Sequence, residues 1–151
     1  LIPELVQGTL DAYCDRTGIT LVRGGDRCYY RASTDTINLV RQFLDGDAFA
    51  GVAFHEMVHS TGHPSRLARK RFSTSPGDEK DQAFEELIAE LGAAFACAEI
   101  GVQGRYEQHA SYLQSWMRAL SNDERFFFRA AAAASKATRL IFQSECKENA
   151  A

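Results

Sequence analysis

The segment HEMVH, residues 55–59, has the residue types and spacing of a metal-bound hydrolytic centre. If it is helical, His55 and His59 project from one face and can offer imidazole nitrogens to a single ion, for which tetrahedral zinc is the usual choice. Glu56 then lies about 100° around the helix axis, where it can hold a metal-bound water without being a ligand. The alternative is a pair of core histidines bonded to backbone carbonyls. The apolar residues around the motif disfavour that alternative, because buried polar groups need partners.

A later helix supplies the candidate third ligand. Within residues 81–100, Glu86 and Glu90 lie one turn apart among small or apolar residues, which is not the pattern of a solvated face. We predict that Glu86 binds the metal and that Glu90 anchors one of the histidines from behind. The alternative is a structural ion pair with an arginine. Glu85 and Glu99 share a more lateral strip, and we interpret them as surface charges.

Four further side chains are weaker candidates. His63 follows the motif, but a glycine and a proline end the helix around it, so it ranks second to Glu86 as a ligand. His109, Tyr29 and Tyr30 are candidate donors to the oxyanion of a hydrolytic transition state. A structural role is the alternative for each of these three.

The rest of the sequence predicts the elements that must position the site. Three short β-branched or aromatic runs, ITLV, RCYY and TINL, are separated by the turn-rich segments RGGD and ASTD. They predict an antiparallel meander, in which a strand such as TINL offers its edge to an extended peptide. We therefore predict an α+β fold, with a small antiparallel sheet of about three strands beside an active-site helix and a bundle of further helices. Periodicity and capping signals indicate helices over about 4–16, 48–61, 81–100, 106–120 and 123–142.

Length and composition limit the remaining choices. The 151 residues suit a single domain with frayed ends at 1–3 and 143–151, and the absence of an initial methionine indicates a part of a longer chain. A formal net charge of −3 argues against a general nucleic-acid clamp, and we interpret the basic run at 66–71 as a solvated loop. The sequence predicts neither a membrane span nor a signal peptide. Four cysteines without a C-x-x-C pair indicate reduced thiols in a cytoplasmic protein.

Five blocks of the sequence, in order, resemble the zincin-like metallopeptidase domain of ArdC-type antirestriction proteins and of plasmid and phage polyvalent proteins. The resemblance implies a zincin fold, a divalent metal on His55, His59 and Glu86, and Glu56 as the catalytic glutamate. It also implies single-stranded DNA as a partner only through an N-terminal half that these residues do not include. The blocks are GGDRCYYRASTDTINL, AFHEMVHSTGHPSRL, FEELIAELGAAFACAEIG, HASYLQSWMRAL and AAAAASKA, within about residues 11–142.

Two main functions are compatible with these residues. The first is a zinc-dependent metallopeptidase, in which metal-activated water attacks a protein or peptide substrate with Glu56 as general base, in an antirestriction or mobile-element context. The alternative is a catalytically weak, metal-stabilised module that binds host defence proteins. Manganese or cobalt would also suit two histidines and a carboxylate. Hydrolysis of a non-peptide amide is a weaker third option.

Overall fold

The computed structural model describes residues 1–73, 77–102 and 106–143, with the helical backbone alone at 106–110. The predicted helices and strands are confirmed within these residues, which supports the α+β class. In chain order the elements are α1 (Ile2–Thr17), β1 (Thr20–Arg23), β2 (Tyr29–Arg31), β3 (Thr36–Leu39), α2 (Gly46–Thr61), a 3₁₀ turn (Lys70–Phe72), α3 (Glu79–Glu99), α4 (Tyr106–Ala119) and α5 (Glu124–Ile141).

Capping residues determine where the two helices that carry the site begin. The Asp45 carboxylate accepts a hydrogen bond from the backbone N–H of Ala48 at 2.8 Å and caps α2. Asp78 and Asp81 form a capping box at the start of α3. Within each helix, side chains three and four positions apart then share a face, because the helix has 3.6 residues per turn.

Helix α2 forms the centre of the core, and α1, α3, α5 and strands β2 and β3 pack around it. The hydroxyl of Tyr13 on α1 shares a hydrogen bond of 2.8 Å with Oγ of Ser60 on α2. Arg16, one turn later on α1, donates to the carbonyls of Leu140 and Ile141 at the end of α5, at 2.9 and 3.1 Å. Helix α1 is therefore joined to both neighbours by polar contacts. The buried apolar residues of α2 are Phe49, Ala50, Ala53, Phe54, Met57 and Val58.

The predicted antiparallel meander is wrong, because the sheet is mixed with the order β1-β3-β2. Strand β3 pairs in parallel with β1 and antiparallel with β2, so only the second predicted turn closes a hairpin. Two features explain the difference. Strand β3 is the most buried of the three and takes the central position. The Nδ2 of Asn38 on β3 donates to the carbonyls of Gly24 and Arg27, at 3.0 and 2.8 Å, so the connection from β1 spans the end of β3 instead of forming a tight turn.

Cys14, Cys28 and Cys97 carry free thiols, as the sequence predicts, whereas Cys146 lies outside the described residues. Within the described ranges, no helix combines the length and the apolar character that crossing a bilayer requires.

Candidate metal centre

His55 and His59 lie one turn apart on α2, with their Nε2 atoms 3.1 Å apart. This closeness follows from helical spacing, since residues i and i+4 share a face. The rings meet edge to face, with their centroids 4.7 Å apart. Each imidazole therefore directs one nitrogen toward a common point.

Glu86 on α3 completes the group. Its Oε2 lies 3.3 Å from Nε2 of His55, and its Oε1 lies 3.2 Å from Nε2 of His59. In the described part of the chain, these three residues form the group that could hold a metal ion, with ligand atoms all within 4.8 Å of one another. The helices approach closely because Gly92 on α3 lacks a side chain: a Cβ there would lie 2.7 Å from Cγ2 of Val58.

The separations between the three donor atoms suit one divalent ion. A tetrahedral zinc ion lies about 2.0–2.2 Å from its nitrogen and oxygen ligands, which places neighbouring ligand atoms about 3.3 Å apart. The distances among His55, His59 and Glu86 are 3.1, 3.2 and 3.3 Å. The residues present therefore fit a metal ion that keeps a fourth position for water or substrate.

A carboxylate lies behind each histidine. Oε1 of Glu90 is 3.1 Å from Nδ1 of His55, and Oε2 of Glu85 is 2.8 Å from Nδ1 of His59. A ring nitrogen that donates its proton to a carboxylate leaves the Nε2 lone pair available for an ion and sets the ring orientation. The sequence predicts Glu90 as the carboxylate behind a histidine, whereas the same role for Glu85 is revealed only by the structure.

The interpretation of Glu85 as a surface charge is wrong. Its side chain is 3% exposed, and its two oxygens accept hydrogen bonds from Nε and Nη2 of Arg69 at 2.6 and 3.0 Å. The interpretation of residues 66–71 as a solvated loop is wrong for Arg66 and Arg69, whose side chains are only 8% and 11% exposed. The sequence does show an acidic residue beside Glu86 and arginines after the motif. Neither feature predicts that Glu85 pairs with Arg69.

The carboxylates around the two imidazoles favour positive charge between them. Burial opposes protonation of the histidines, but hydrogen bonds to carboxylates outweigh it and raise the pKa of His55 to about 10 and that of His59 to about 9. Burial also opposes ionisation of Glu86, yet hydrogen bonds from the two histidines hold the pKa of that carboxyl well below its usual value. The site therefore stabilises a cation, whether protons or a metal ion.

Glu56 follows His55 on α2 and is 8% exposed. Burial raises the pKa of its carboxyl, while the charges of His59 and His55 and the backbone N–H of Tyr30 partly oppose this rise. A carboxylate with a raised pKa accepts a proton more readily near neutral pH, as a general base must. Among the described residues, the group that could hold the ion does not include Glu56, so its carboxylate is left for proton transfer.

A family model described as zincin-like metallopeptidase matches residues 8–133, which is most of the chain. The chain belongs to the zincin-like metallopeptidase family. Crystal structures of the antirestriction protein ArdC from plasmid R388 are similar to this zincin-like domain at 41% sequence identity. The metal-free structure has a TM-score of 0.69 and the match covers 87% of this chain and 48% of ArdC. For the Mn(II)-bound structure the TM-score is 0.65, with 94% and 52% covered.

Curated relatives of the zincin-like domain are much longer than this chain. A DNA primase TraC of Escherichia coli is 40% identical over 135 residues, which cover 87% of this chain and 12% of TraC. A protein of Sinorhizobium fredii is 35% identical over 133 residues, which cover 83% of this chain and 41% of that protein. The chain thus spans about half of ArdC and a small part of TraC.

Among the described residues, the group that could hold a metal ion does not include His63, the second choice of the sequence as a ligand. Nδ1 of His63 lies 2.8 Å from Oγ of Ser65. The Tyr30 hydroxyl donates to Asp35 at 2.7 Å and accepts from Arg66 at 3.3 Å, so it is already engaged. His109 is on α4, at a position whose side chain lies outside the described residues.

A groove of about 520 Å³ opens beside the centre. Tyr30 on β2 and Phe72 on the 3₁₀ turn line it, as do Glu86 on α3 and Trp116 on α4. The expectation that TINL offers a strand edge is wrong, because that strand is β3, which lies between the other two. The sheet edge at the groove is β2.

Proposed function

We propose that this chain is a zinc-dependent peptidase domain that hydrolyses peptide bonds in a protein or peptide substrate. The observation that carries the proposal is the convergence of His55, His59 and Glu86, with all ligand atoms within 4.8 Å, beside the buried Glu56. Membership of the zincin-like metallopeptidase family supports the same chemistry.

Each polar residue of the centre has a part in this reaction. The two histidines and Glu86 would hold the ion, while Glu85 and Glu90 keep the imidazole rings turned toward it. When bound, zinc supplies Lewis-acid polarisation of the scissile carbonyl and acidifies a water molecule. Glu56 takes the proton of that water and delivers it to the leaving amine, and its raised pKa suits both transfers.

The groove and the edge of the sheet support an extended peptide as substrate. Strand β2 pairs with β3 on one side only, so its other edge is open to a further strand, while the backbone N–H of Tyr30 already bonds Glu56. Tyr30 of β2 lines the groove together with Glu86, which places that edge beside the centre. A chain laid along β2 would therefore pass the metal ligands.

The similarity to ArdC of plasmid R388 supports an antirestriction or mobile-element role, for which we propose a cytoplasmic location. DNA binding is not assigned to these residues, because their net charge is −3. The relatives are named for antirestriction and for DNA priming, and neither name refers to proteolysis. They favour a second candidate function, a metal-stabilised module that binds a protein partner with little hydrolysis.

Metal content tests the ligand assignment. Purified parent protein should contain one metal ion per chain, and Glu86→Ala should lose it, since a ligand is removed. Glu90→Ala should retain the site with affinity lower by about 10- to 100-fold, since it removes only the support behind His55. Elemental analysis after dialysis against defined Zn²⁺ distinguishes the variants. Metal lost from Glu90→Ala but kept by Glu86→Ala would overturn the assignment.

Peptide cleavage tests the reaction. The Zn²⁺-loaded parent should cut members of a proteome-derived peptide mixture, with new termini identified by mass spectrometry. Intact peptides in the presence of a fully loaded centre would contradict the peptidase and favour the binding module.

A further inference from the structure

The segment after α2 folds back onto the end of that helix. The backbone N–H of Leu67 donates to the carbonyl of Thr61 at 2.9 Å, and that of Arg69 donates to the carbonyl of Gly62 at 3.0 Å. Between them, Ala68 has a φ of 50°, a left-handed conformation that reverses the chain. The backbone therefore returns Arg69 to the last turn of α2, the turn that carries His59.

The guanidinium of Arg69 is held on two sides. Toward α3, it donates from Nε and Nη2 to the two oxygens of Glu85 at 2.6 and 3.0 Å. Toward α2, it donates from Nη1 to Oγ1 of Thr61 at 2.8 Å and from Nη2 to the carbonyl of Val58 at 2.6 Å. A fork bound to both oxygens of a carboxylate sets the plane as well as the position of that carboxylate.

The contacts continue from Glu85 to the metal ligand. Oε2 of Glu85 is shared between Nη2 of Arg69 and Nδ1 of His59, at 3.0 and 2.8 Å. Since the Glu85 side chain is almost fully buried, water has little access to replace either partner. The orientation of the His59 ring therefore depends on a carboxylate whose own orientation depends on Arg69.

Gly62 makes room for this arrangement. A Cβ at Gly62 would lie 2.8 Å from Nη2 of Arg69 and 2.7 Å from Cδ2 of Phe72. The ring of Phe72 in turn meets the His59 ring edge to face, with centroids 6.2 Å apart, and lines the groove. One segment thus supplies both a wall of the groove and the arginine behind the ligand.

We propose, on the basis of the metal site proposed above, that Arg69 is a positioning residue of the metal centre, which acts on His59 through Glu85. Arg69 does not touch the ion. It holds Glu85 in the one orientation that keeps Nδ1 of His59 bonded and Nε2 directed at the ion. Removal of such an outer partner lowers metal affinity by about 10- to 100-fold.

The test is a double-mutant cycle on metal affinity, measured with metal-free folded protein by competition with a chromophoric Zn²⁺ chelator. Arg69→Met and Glu85→Gln should each weaken Zn²⁺ binding by about 10- to 100-fold. The double variant should bind about as tightly as Glu85→Gln alone, because the effect of Arg69 passes through the carboxylate already removed. The Co²⁺ absorption spectrum of Arg69→Met should also change, since it reports the ligand geometry.

Arg66 provides the matched control. It is as buried as Arg69 and its Nε donates to the carbonyl of Ser60 on the same helix turn at 2.8 Å. Its carboxylate partner, however, is Asp35 in the turn between β2 and β3, and not a residue behind a ligand. Arg66→Met should lower stability while leaving Zn²⁺ affinity and the Co²⁺ spectrum of the folded protein unchanged.

Equal Zn²⁺ affinity for Arg69→Met and the parent would overturn the proposal, as would equal losses in Arg69→Met and Arg66→Met. If Arg69→Met fails to fold, Arg69→Lys replaces it. The lysine keeps the charge but cannot bind both oxygens of Glu85 in a fork, so the Zn²⁺ affinity should still fall. Parental affinity in Arg69→Lys would count against the role.

A parent protein that binds no Zn²⁺ would overturn both this role and the proposed function. A parent that binds Zn²⁺, together with an Arg69 variant that binds it equally well, would overturn this role alone.

Discussion

The two main contact surfaces of α3 differ in chemistry. Toward α2, the helix presents Glu85, Glu86 and Glu90, three carboxylates that each contact a histidine. Toward α5 the contact is mainly apolar, with Phe84 meeting Phe126 edge to face at 6.1 Å and the guanidinium of Arg129 over both rings. The α5 side chains buried in the core are Ala130, Ala134, Ala137 and Ile141.

This difference separates function from stability. Buried charges contribute little net stability even when they are well paired, because desolvation offsets their attraction. Apolar burial stabilises at about 25 cal/mol per Å². We therefore expect conservative changes at the polar residues of the α2–α3 surface to affect metal binding and hydrolysis, and truncations at the apolar α3–α5 surface to affect unfolding alone.

The largest expected effect is that of Glu56→Gln. Because the amide cannot accept the proton of the attacking water, peptide hydrolysis should fall by about 10²- to 10⁴-fold. Metal content and the free energy of unfolding should be retained, since the amide has the same shape and does not carry a buried charge. Single-turnover cleavage, elemental analysis and thermal melting measure the three quantities. Cleavage by Glu56→Gln at the parental rate would exclude Glu56 as the base. A parent protein that binds a partner but cleaves no peptide would favour the binding module.

A truncation on the buried apolar face of α5 should have the next largest effect. Ile141→Ala should lower the free energy of unfolding by about 2–5 kcal/mol, because it leaves a cavity where α5 meets the core. Denaturant titration measures the loss, and the folded variant should bind Zn²⁺ as tightly as the parent. Phe128→Ala on the same helix is the control, since that ring is 68% exposed and its removal should change stability by less than about 0.5 kcal/mol. Weakened Zn²⁺ binding in the folded Ile141→Ala protein would show that the two surfaces are not separate.

An intermediate effect is expected where α2 and α3 come closest. In Gly92→Ala the new Cβ would meet Cγ2 and Cγ1 of Val58 at 2.7 and 2.9 Å, so the helices must move apart at a cost of about 1–3 kcal/mol. Because Val58 precedes His59, Zn²⁺ affinity should fall as well. Gly51→Ala on α2 is the control: a Cβ there meets nothing within 4 Å, and the gain in helix propensity should stabilise the protein by about 0.5–1 kcal/mol. Thermal melting of both variants tests whether Gly92→Ala lowers the melting temperature and Gly51→Ala raises it.

The smallest effect is expected at the start of α5. The Asp123 carboxylate accepts a hydrogen bond from the backbone N–H of Arg125 at 3.0 Å, so Asp123→Ala should lower stability by about 1 kcal/mol. Asp123→Asn should keep most of the stability, because asparagine caps helices about as well. Denaturant midpoints distinguish the two substitutions, and neither should alter hydrolysis. A loss of activity in Asp123→Ala would show that α5 acts on the centre.

Local spacing in the sequence predicts which side chains of the candidate centre converge. His55 and His59 repeat at one helical turn, and Glu86 and Glu90 repeat at one turn among small or apolar residues of a second helix. The structure brings these four side chains together. Their proximity requires only that the histidine face of one predicted helix packs against the glutamate face of the other.

The parts that the sequence did not reveal depend on contacts between distant segments. Glu85 is buried because Arg69 returns from a reversed loop, and no periodicity encodes that pairing. The position of β3 between β1 and β2 depends on its parallel pairing with β1. It also depends on Asn38, whose side chain bonds the Gly24 carbonyl in the connection between β1 and β2. Propensity identifies strands as such, but it does not order them in a sheet.

The contacts of α1 with α5 bear on where a stable fragment can be cut. Trimming the chain to residues 8–133, the span shared with the family, would remove Val6 and Ile141, both buried in the core. It would also delete the two carbonyls that receive the guanidinium of Arg16. The packed core therefore extends beyond the span of the family model at both ends, and a protein cut at residues 8 and 133 would expose apolar surface of α1 and α5.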